Sequence, residues 1–348
     1  MRDALRSPRV WLGIVVSLIA VYFAARGVEW SELVDALSGA DYVWLIPAAI
    51  ITVVGQVARA ARWRALFGDG PRPDMRSSFE ILSIGYMVSA VLPLRLGDPV
   101  RVWLIETRTP AGGAEALATV MAERAVDFLM IAALMAVFVP RHASDLLTDE
   151  LGNGPWSDPR ALSAMALAMV VLVYAAMVLV SYLGSPAGRS ASAALARLGV
   201  PDSVADRASR LIAGFAAGFA PLRQPNIAVL VAAWTLAIWL LGALVHWSVM
   251  LAFALGLPFA AAVFTLGATA VFAVLPSSPG YVGVFHSAVV LALGRYAGLP
   301  KETALAYAIV IHGLTIVLLI ALGVWSLWSL GLSRRELGQG LQGAAAET

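Results

Sequence analysis

The sequence contains no cysteine, and Lys301 is the single lysine among its 24 basic residues. Without cysteine there is no disulfide frame, no thiolate nucleophile and no cysteine-based metal or redox centre. Charge is scarce everywhere. Asp, Glu, Lys and Arg make up 13% of the 348 residues, about half of what a soluble domain carries. The 24 basic and 22 acidic side chains leave a net charge of +2, too balanced to suggest nucleic acid as a partner. There is no HExxH, no set of carboxylates at metal spacing and no Walker loop, so metal hydrolysis and ATP-driven transport have no residues to carry them. Ser277 lacks a Gly-x-Ser-x-Gly setting, which argues against a hydrolase nucleophile. No metal and no cofactor are expected.

Apolar residues fill the space that charge leaves. They form 60% of the chain, with a mean hydropathy of +0.82, which excludes a soluble fold, a disordered chain, collagen and a coiled coil. The expected fold is an all-α, polytopic integral membrane protein, with residues 1–348 as a single transmembrane domain. Six segments are long enough for a bilayer core of about 30 Å: Val10–Ala25, Tyr42–Val57, Ala116–Val139, Ala161–Leu183, Ile227–Leu255 and Thr303–Leu330. The first follows basic residues as a signal peptide does, but no small-residue cleavage site comes after it, so it reads as a retained span. Two further apolar regions, 79–108 and 259–298, are each interrupted by a Pro/Gly-rich centre.

Loop charge sets the orientation. Arg2, Arg6 and Arg9 keep the N-terminus cytoplasmic, and Arg334 and Arg335 do the same for the 331–348 tail. Arg59, Arg62, Arg64, Arg72 and Arg76 mark a second cytoplasmic stretch. The 184–226 linker, with Arg189, Arg197, Arg207, Arg210 and Arg223, marks a third, and residues 190–220 read as an amphipathic surface helix. Glu29, Glu32, Asp35 and Asp41, and then Asp145, Asp149, Glu150 and Asp158, belong outside. Every loop agrees if the two interrupted regions dip into the membrane without crossing it, the first from the cytoplasm and the second from outside.

That arrangement is an inverted repeat. Its halves run about 10–139 and 161–330, each built as span, span, re-entrant hairpin, span. Ala90-Val91-Leu92-Pro93 and Ala273-Val274-Leu275-Pro276 are identical, and each is followed by a glycine four residues after its proline, Gly97 and Gly280. Paired Gly/Pro-interrupted segments at corresponding positions point to a transporter substrate site. The alternative is eight to ten plain, proline-kinked spans.

Four polar groups stand out. Arg95, Asp98 and Arg101 recur at helical spacing just after the first break, placing two guanidiniums around one carboxylate. This is either a seat for a phosphate headgroup or an interface cluster that snorkels to water. Glu123, Arg124 and Asp127 lie inside a span, where ionisable residues mark a pathway by default; a structural pair holding the Arg95/Arg101 hairpin is the plainer reading. The third group is Pro276 to His286, where two prolines and two glycines end one half-helix and open another. Ser277, Ser278, Gly280 and Tyr281 would offer hydroxyl and backbone N–H donors without net charge, unless this is simply a helix break. Gln56, Arg59, Arg62, Trp63 and Arg64 read first as an interface anchor and second as an entrance for phosphate. Glu123, Asp127 or His286 could carry a proton, whereas His246 and His312 read as packing residues.

Arg62-Trp63-Arg64-Ala65-Leu66-Phe67, the run Leu92 to Arg101, Glu123 to Asp127, and Pro276 to Phe285 occur in that order. Together they resemble the lysylphosphatidylglycerol synthase transmembrane-region family, the flippase-like domain also found at the N-terminus of the multiple peptide resistance factor. The resemblance runs from about Val10 to Leu330. It implies a prokaryotic integral membrane protein of the cell membrane that handles lipid headgroups. Many relatives carry Asn before the Leu-Pro where this chain has Ser89 and Ala90, Glu in place of Asp98, and Glu in place of His286, so the identity of the substrate does not carry over. The short tail after the last span leads us to expect no aminoacyl-transferase domain.

The expected function is therefore a lipid flippase or transporter for an anionic or phosphate-bearing lipid. A homo-oligomer or a separate lipid-synthesising protein are candidate partners. The rivals are a membrane enzyme or subunit acting on polyprenyl-phosphate or glycolipid, and a scaffold for a separate synthase.

Overall fold

A computed structural model of the chain describes residues 8–92, 96–138, 167–179, 218–273 and 278–332, with isolated positions beyond these. The expected external acidic loop, the 190–220 surface helix and most of the tail lie outside the described residues. The described chain is helical, and the protein is an all-α, multi-pass membrane protein. Its helices are α1 (Pro8–Ala25), α2 (Trp30–Ser38), α3 (Leu45–Ala65), α4 (Met75–Val91), α5 (Gly97–Arg108), α6 (Gly113–Phe138), α7 (Leu167–Leu179), α8 (Pro225–Ala252), α9 (Phe259–Phe272), α10 (Val284–Ala297) and α11 (Lys301–Ser329).

Local chemistry sets the boundaries. Asp74 caps α4, its Oδ1 accepting the Ser77 N–H at 2.6 Å; that bond holds its carboxyl below the usual carboxylate range. α4 stops at Leu92, which is extended (φ −107°, ψ 148°), the conformation favoured before a proline. Pro225 opens α8 at a position where its missing N–H costs nothing. Gly298 ends α10 in the left-handed region. Lys301 donates to the carbonyls of Phe23 and Arg26 at 2.8 and 2.6 Å, placing the one lysine at the negative end of α1.

Three described helical stretches are long and apolar enough to cross a membrane: Tyr42–Ala65, which runs through a short 3-10 turn into α3, then α8 and α11. The α1–α2 pair, bent by 86°, adds a fourth if it counts as one span. α6 has 26 residues, enough length, but carries Glu123, Arg124 and Asp127. Rows of exposed apolar side chains, such as Ile46, Ile50, Val54 and Val57 on α3 or Val317, Val324 and Trp328 on α11, give these helices a lipid-compatible outer face.

The loops sort to two ends of the bundle. Arg76 donates to Ser329 at 2.9 Å, Arg108 to Glu336 at 2.9 Å and Gln224 to Asp69 at 3.1 Å. The start of α4, the ends of α3, α5 and α11, and the start of α8 therefore share one end. At the other, the Asp41 N–H donates to the Ala252 carbonyl and the Glu29 N–H to Glu302. The chain α4–α5 leaves the first end and returns to it; α9–α10 does the same at the second. With 17 and 14 residues, α4 and α9 reach about 25 and 21 Å, against a bilayer core of about 30 Å. Their tips meet: a Cβ on Gly280 would lie 3.1 Å from the Ala90 carbonyl oxygen.

Packing follows the same exchange. α3 lies along α8, α4 along α11 and α9 along α6. Gly323 of α11 admits Met87 of α4, and Gly267 of α9 admits Met135 of α6, so glycine and methionine swap roles between the two contacts. Within α3–α6 and within α8–α11 each helix packs on the next. α1 packs on α10, and α7 on the region of Leu66, Ala122 and Ile227.

Within the first folded-back pair, a Cβ on Gly97 would sit 2.0 Å from the Gly85 carbonyl oxygen and 2.2 Å from Ser89 Oγ. Backbone cannot yield as a flexible side chain does. Gly97→Ala is expected to cost about 1–3 kcal/mol, read as a lower midpoint of thermal unfolding in detergent; a wild-type midpoint would contradict this packing.

Candidate functional site

The charges that the sequence scatters over three segments come together between helices. Arg62 of α3 is fully buried. It grips Asp127 of α6 with both terminal nitrogens, one of them 3.0 Å from Oδ2, and reaches Glu123 Oε1 at 3.3 Å. Glu123, also fully buried, accepts from Arg101 of α5 at 2.7 Å. Arg101 meets Asp98 at 3.3 Å, and Asp98 accepts from Arg124 at 2.9 and 3.1 Å. The result is one chain of alternating sign, Asp127–Arg62–Glu123–Arg101–Asp98–Arg124.

Neutral groups orient its members. Trp239 of α8 donates to Asp127 at 3.0 Å. The Arg101 guanidinium lies 4.1 Å from the Trp63 ring centroid, and the Trp63 indole N–H is held by Thr119 at 3.0 Å. The Arg101 stem crosses Gly85, where a Cβ would stand 2.5 Å from its Cγ. Small residues on α4 thus make room for the arginine of α5. Burial runs from the closed end at Arg62 to Arg124, whose side chain is 46% exposed.

Two expectations change. Arg62 and Gln56, read as entrance residues at the interface, are buried in the helix bundle, Arg62 completely and Gln56 to 3% exposure, because Arg62 is the partner that Glu123 and Asp127 need. The net-positive cluster expected around Arg95, Asp98 and Arg101 is, among the described residues, neutral: three arginines face three carboxylates. Arg95 and Ser277 lie outside the described residues. Arg59 is half-buried, with its guanidinium 5.6 Å from the Tyr86 ring centroid.

At the second break the chain enters the left-handed region at Gly280 (φ 66°), Tyr281 (φ 57°) and Gly283 (φ 85°), a conformation that glycine adopts without strain. Two of the residues expected to line an open cradle have partners for their donors: the Ser278 N–H donates to Ser17 Oγ of α1 at 2.7 Å and its hydroxyl to the Val282 carbonyl at 3.4 Å, and the Tyr281 N–H donates to the Ser278 carbonyl at 3.0 Å. Beyond them, the Gly283 N–H meets His286 Nδ1 at 3.3 Å. His312, read from sequence as a packing residue, places Nε2 2.7 Å from the Gly280 carbonyl and stacks on Phe285. His246 does pack as expected, with Nδ1 2.8 Å from the Tyr307 hydroxyl. Thr235 and Trp239 were missed; their four-residue spacing on an otherwise apolar helix was the available signal. Among the described residues no three His, Asp or Glu side chains group as metal ligands.

The description of the family whose model matches residues 10–323 is "Lysylphosphatidylglycerol synthase TM region". The chain belongs to this family. Membership ties it to membrane lipids. It is also similar to a curated protein, Glycosyltransferase AglD of Haloferax volcanii, with 26% identity over 338 residues. The match covers 92% of this chain and 54% of that protein, so the chain spans about half the length of the curated relative it matches.

Removing one partner from a buried ion pair strands the other. Arg62→Ala is expected to cost about 3–5 kcal/mol, whereas Arg124→Ala, at the exposed end, costs under about 1 kcal/mol. Thermal unfolding of both variants in the same detergent measures the difference. Equal losses would mean that the gradient of burial along the chain has no energetic meaning.

Proposed function

We propose that this protein moves an anionic or phosphate-bearing lipid, of phospholipid or polyprenyl-phosphate type, between the leaflets of a prokaryotic cell membrane. The observation that carries this reading is the meeting of two broken, folded-back helix pairs at Ala90 and Gly280. Non-helical backbone at membrane depth persists where it is buried in protein or lines a wet path, and paired breaks are a transporter's means of presenting such a path at the midplane. In this reading the two pairs are re-entrant hairpins entering from opposite faces. The arginine-rich end of the bundle, with both chain termini, faces the cytoplasm.

A headgroup entering from that side first meets the exposed Arg124–Asp98 pair. Its phosphate competes with Asp98 for Arg124, while Arg101, Glu123, Arg62 and Asp127 form the fixed backing. The tails remain in lipid. No nucleotide site is invoked, so movement is downhill or coupled to an ion gradient, with Glu123, Asp127 or His286 as the proton-carrying groups. A homo-oligomer or a separate lipid-synthesising protein are the partners this scheme accommodates.

The relative's name favours a second reading, a membrane enzyme or subunit that transfers sugar to a lipid carrier. Purified protein that glycosylates a polyprenyl phosphate from a nucleotide-sugar would establish it.

In liposomes holding fluorescent phosphatidylglycerol, the wild-type protein is expected to expose inner-leaflet lipid to dithionite. Arg124→Ala should slow this by about tenfold or more, the worth of one charge-assisted contact, without loss of folding. Arg101→Ala should abolish it. If Arg101→Ala and Glu123→Ala both move lipid at the wild-type rate, the pathway lies elsewhere.

A further inference from the structure

The charge chain is closed: each of its three arginines meets a carboxylate, and its net charge is zero. Two further arginines lie within α3: Arg64 near its end, whose Nε donates to the Pro73 carbonyl at 3.1 Å, and Arg59, about six residues from the end. Arg59 makes no ion pair with any carboxylate among the described residues. It is half-buried rather than extended into water, with its guanidinium 5.6 Å from the ring centroid of Tyr86 and Nη1 3.5 Å from the Tyr86 hydroxyl. An uncompensated guanidinium inside a span is costly, and such residues mark an ion or substrate path. One turn away on the same side of α3, Gln56 is 3% exposed and its amide nitrogen, Nε2, is buried with no hydrogen-bond partner. A buried donor left unmade costs about 1–3 kcal/mol. Two donors on successive turns of one helix therefore lack an anionic acceptor, and one of them, Arg59, reaches the hydroxyl-bearing tip of Tyr86.

We propose that Arg59, Gln56 and Tyr86 form the seat for a phosphate group. The guanidinium fork, the amide NH2 and the phenol offer more donors than a carboxylate's two oxygens can use, and match a tetrahedral group with several terminal oxygens. Arg59 supplies a positive charge that the neutral chain of ion pairs does not. Tyr86 belongs to α4, whose last turn carries Ala90 against the second break, so a phosphate held here sits beside the segment that links the two folded-back pairs. The seat deepens the lipid-moving reading above and rests on it only for the source of the phosphate, a lipid headgroup. The fixed pairs Arg62–Asp127 and Arg101–Glu123 act as walls that carry no net charge toward or away from it.

The test measures binding apart from transport. Full-length protein is loaded in detergent with phosphatidic acid, phosphatidylglycerol or phosphatidylcholine, and the lipid retained is counted by native mass spectrometry. Arg59→Ala and Gln56→Leu are each expected to lower retention of phosphatidic acid and phosphatidylglycerol by about tenfold, with Arg59→Lys recovering part. Gln56→Leu removes an unpaired buried amide, so its thermal midpoint is expected at or above wild type, which separates lost affinity from lost folding. Displacement of phosphatidic acid by millimolar inorganic phosphate would assign the seat to free phosphate, and resistance to it assigns the seat to the lipid headgroup. Retention of anionic lipid at the wild-type level by both Arg59→Ala and Gln56→Leu overturns the proposal, even if Arg101→Ala stops transport. Arg59-dependent retention by a wild-type protein that moves no lipid upholds the seat and overturns the transport reading.

Discussion

Three helices, α3, α5 and α6, are held in register by one requirement, that Glu123 and Asp127 not be left charged and alone inside the membrane. Their arginines come from elsewhere in the sequence: Arg62 from α3 and Arg101 from α5. Arg62 and Arg101 each touch two carboxylates, and Glu123 touches both of these arginines, so none of the three can be removed without stranding a neighbour. In a low-dielectric interior such chains are costly to break and only weakly favourable to form. They therefore specify an arrangement more than they stabilise it. The small residues around them serve the same end, because Gly85 and Gly97 let α5 approach α4 closely enough for Arg101 to reach α6.

The second break is built on the opposite principle. It carries no net charge, and its described donors and acceptors are matched by neighbours: Ser17 for the Ser278 N–H, His286 for the Gly283 N–H and His312 for the Gly280 carbonyl. α1 seats directly against it, since a Cβ on Gly283 would stand 2.5 Å from the Ser17 carbonyl. One folded-back pair is fixed by ions and the other by neutral hydrogen bonds.

The sequence made some of the site legible. Asp98 and Arg101 were visible from helical spacing, and Glu123, Arg124 and Asp127 from the rarity of charge in an apolar run. The matching tetrapeptides Ala90–Pro93 and Ala273–Pro276 located both breaks. Arg62 was misplaced because an arginine near the end of an apolar segment, beside Trp63, is the pattern of an interface anchor; only its burial against α6 and α8 shows otherwise. Thr235 and Trp239 were passed over because a neutral polar side chain on an apolar helix gains meaning only from what faces it. At the second break the Ser278 N–H is taken by Ser17 of α1, whose contact with a segment 261 residues later no local pattern reveals.

Composition and hydropathy by themselves determined that the chain is helical and lies in a membrane, since so little charge cannot clothe a water-soluble surface. Proline and glycine positions determined where helices stop, because those limits are written in the backbone of single residues. The tertiary structure alone decided which charges neutralise one another, and so that, among the described residues, Arg59 of α3 stands outside the chain of ion pairs beside Tyr86. Pairing depends on distances between helices far apart in sequence, and a count of charges along the chain contains none of those distances.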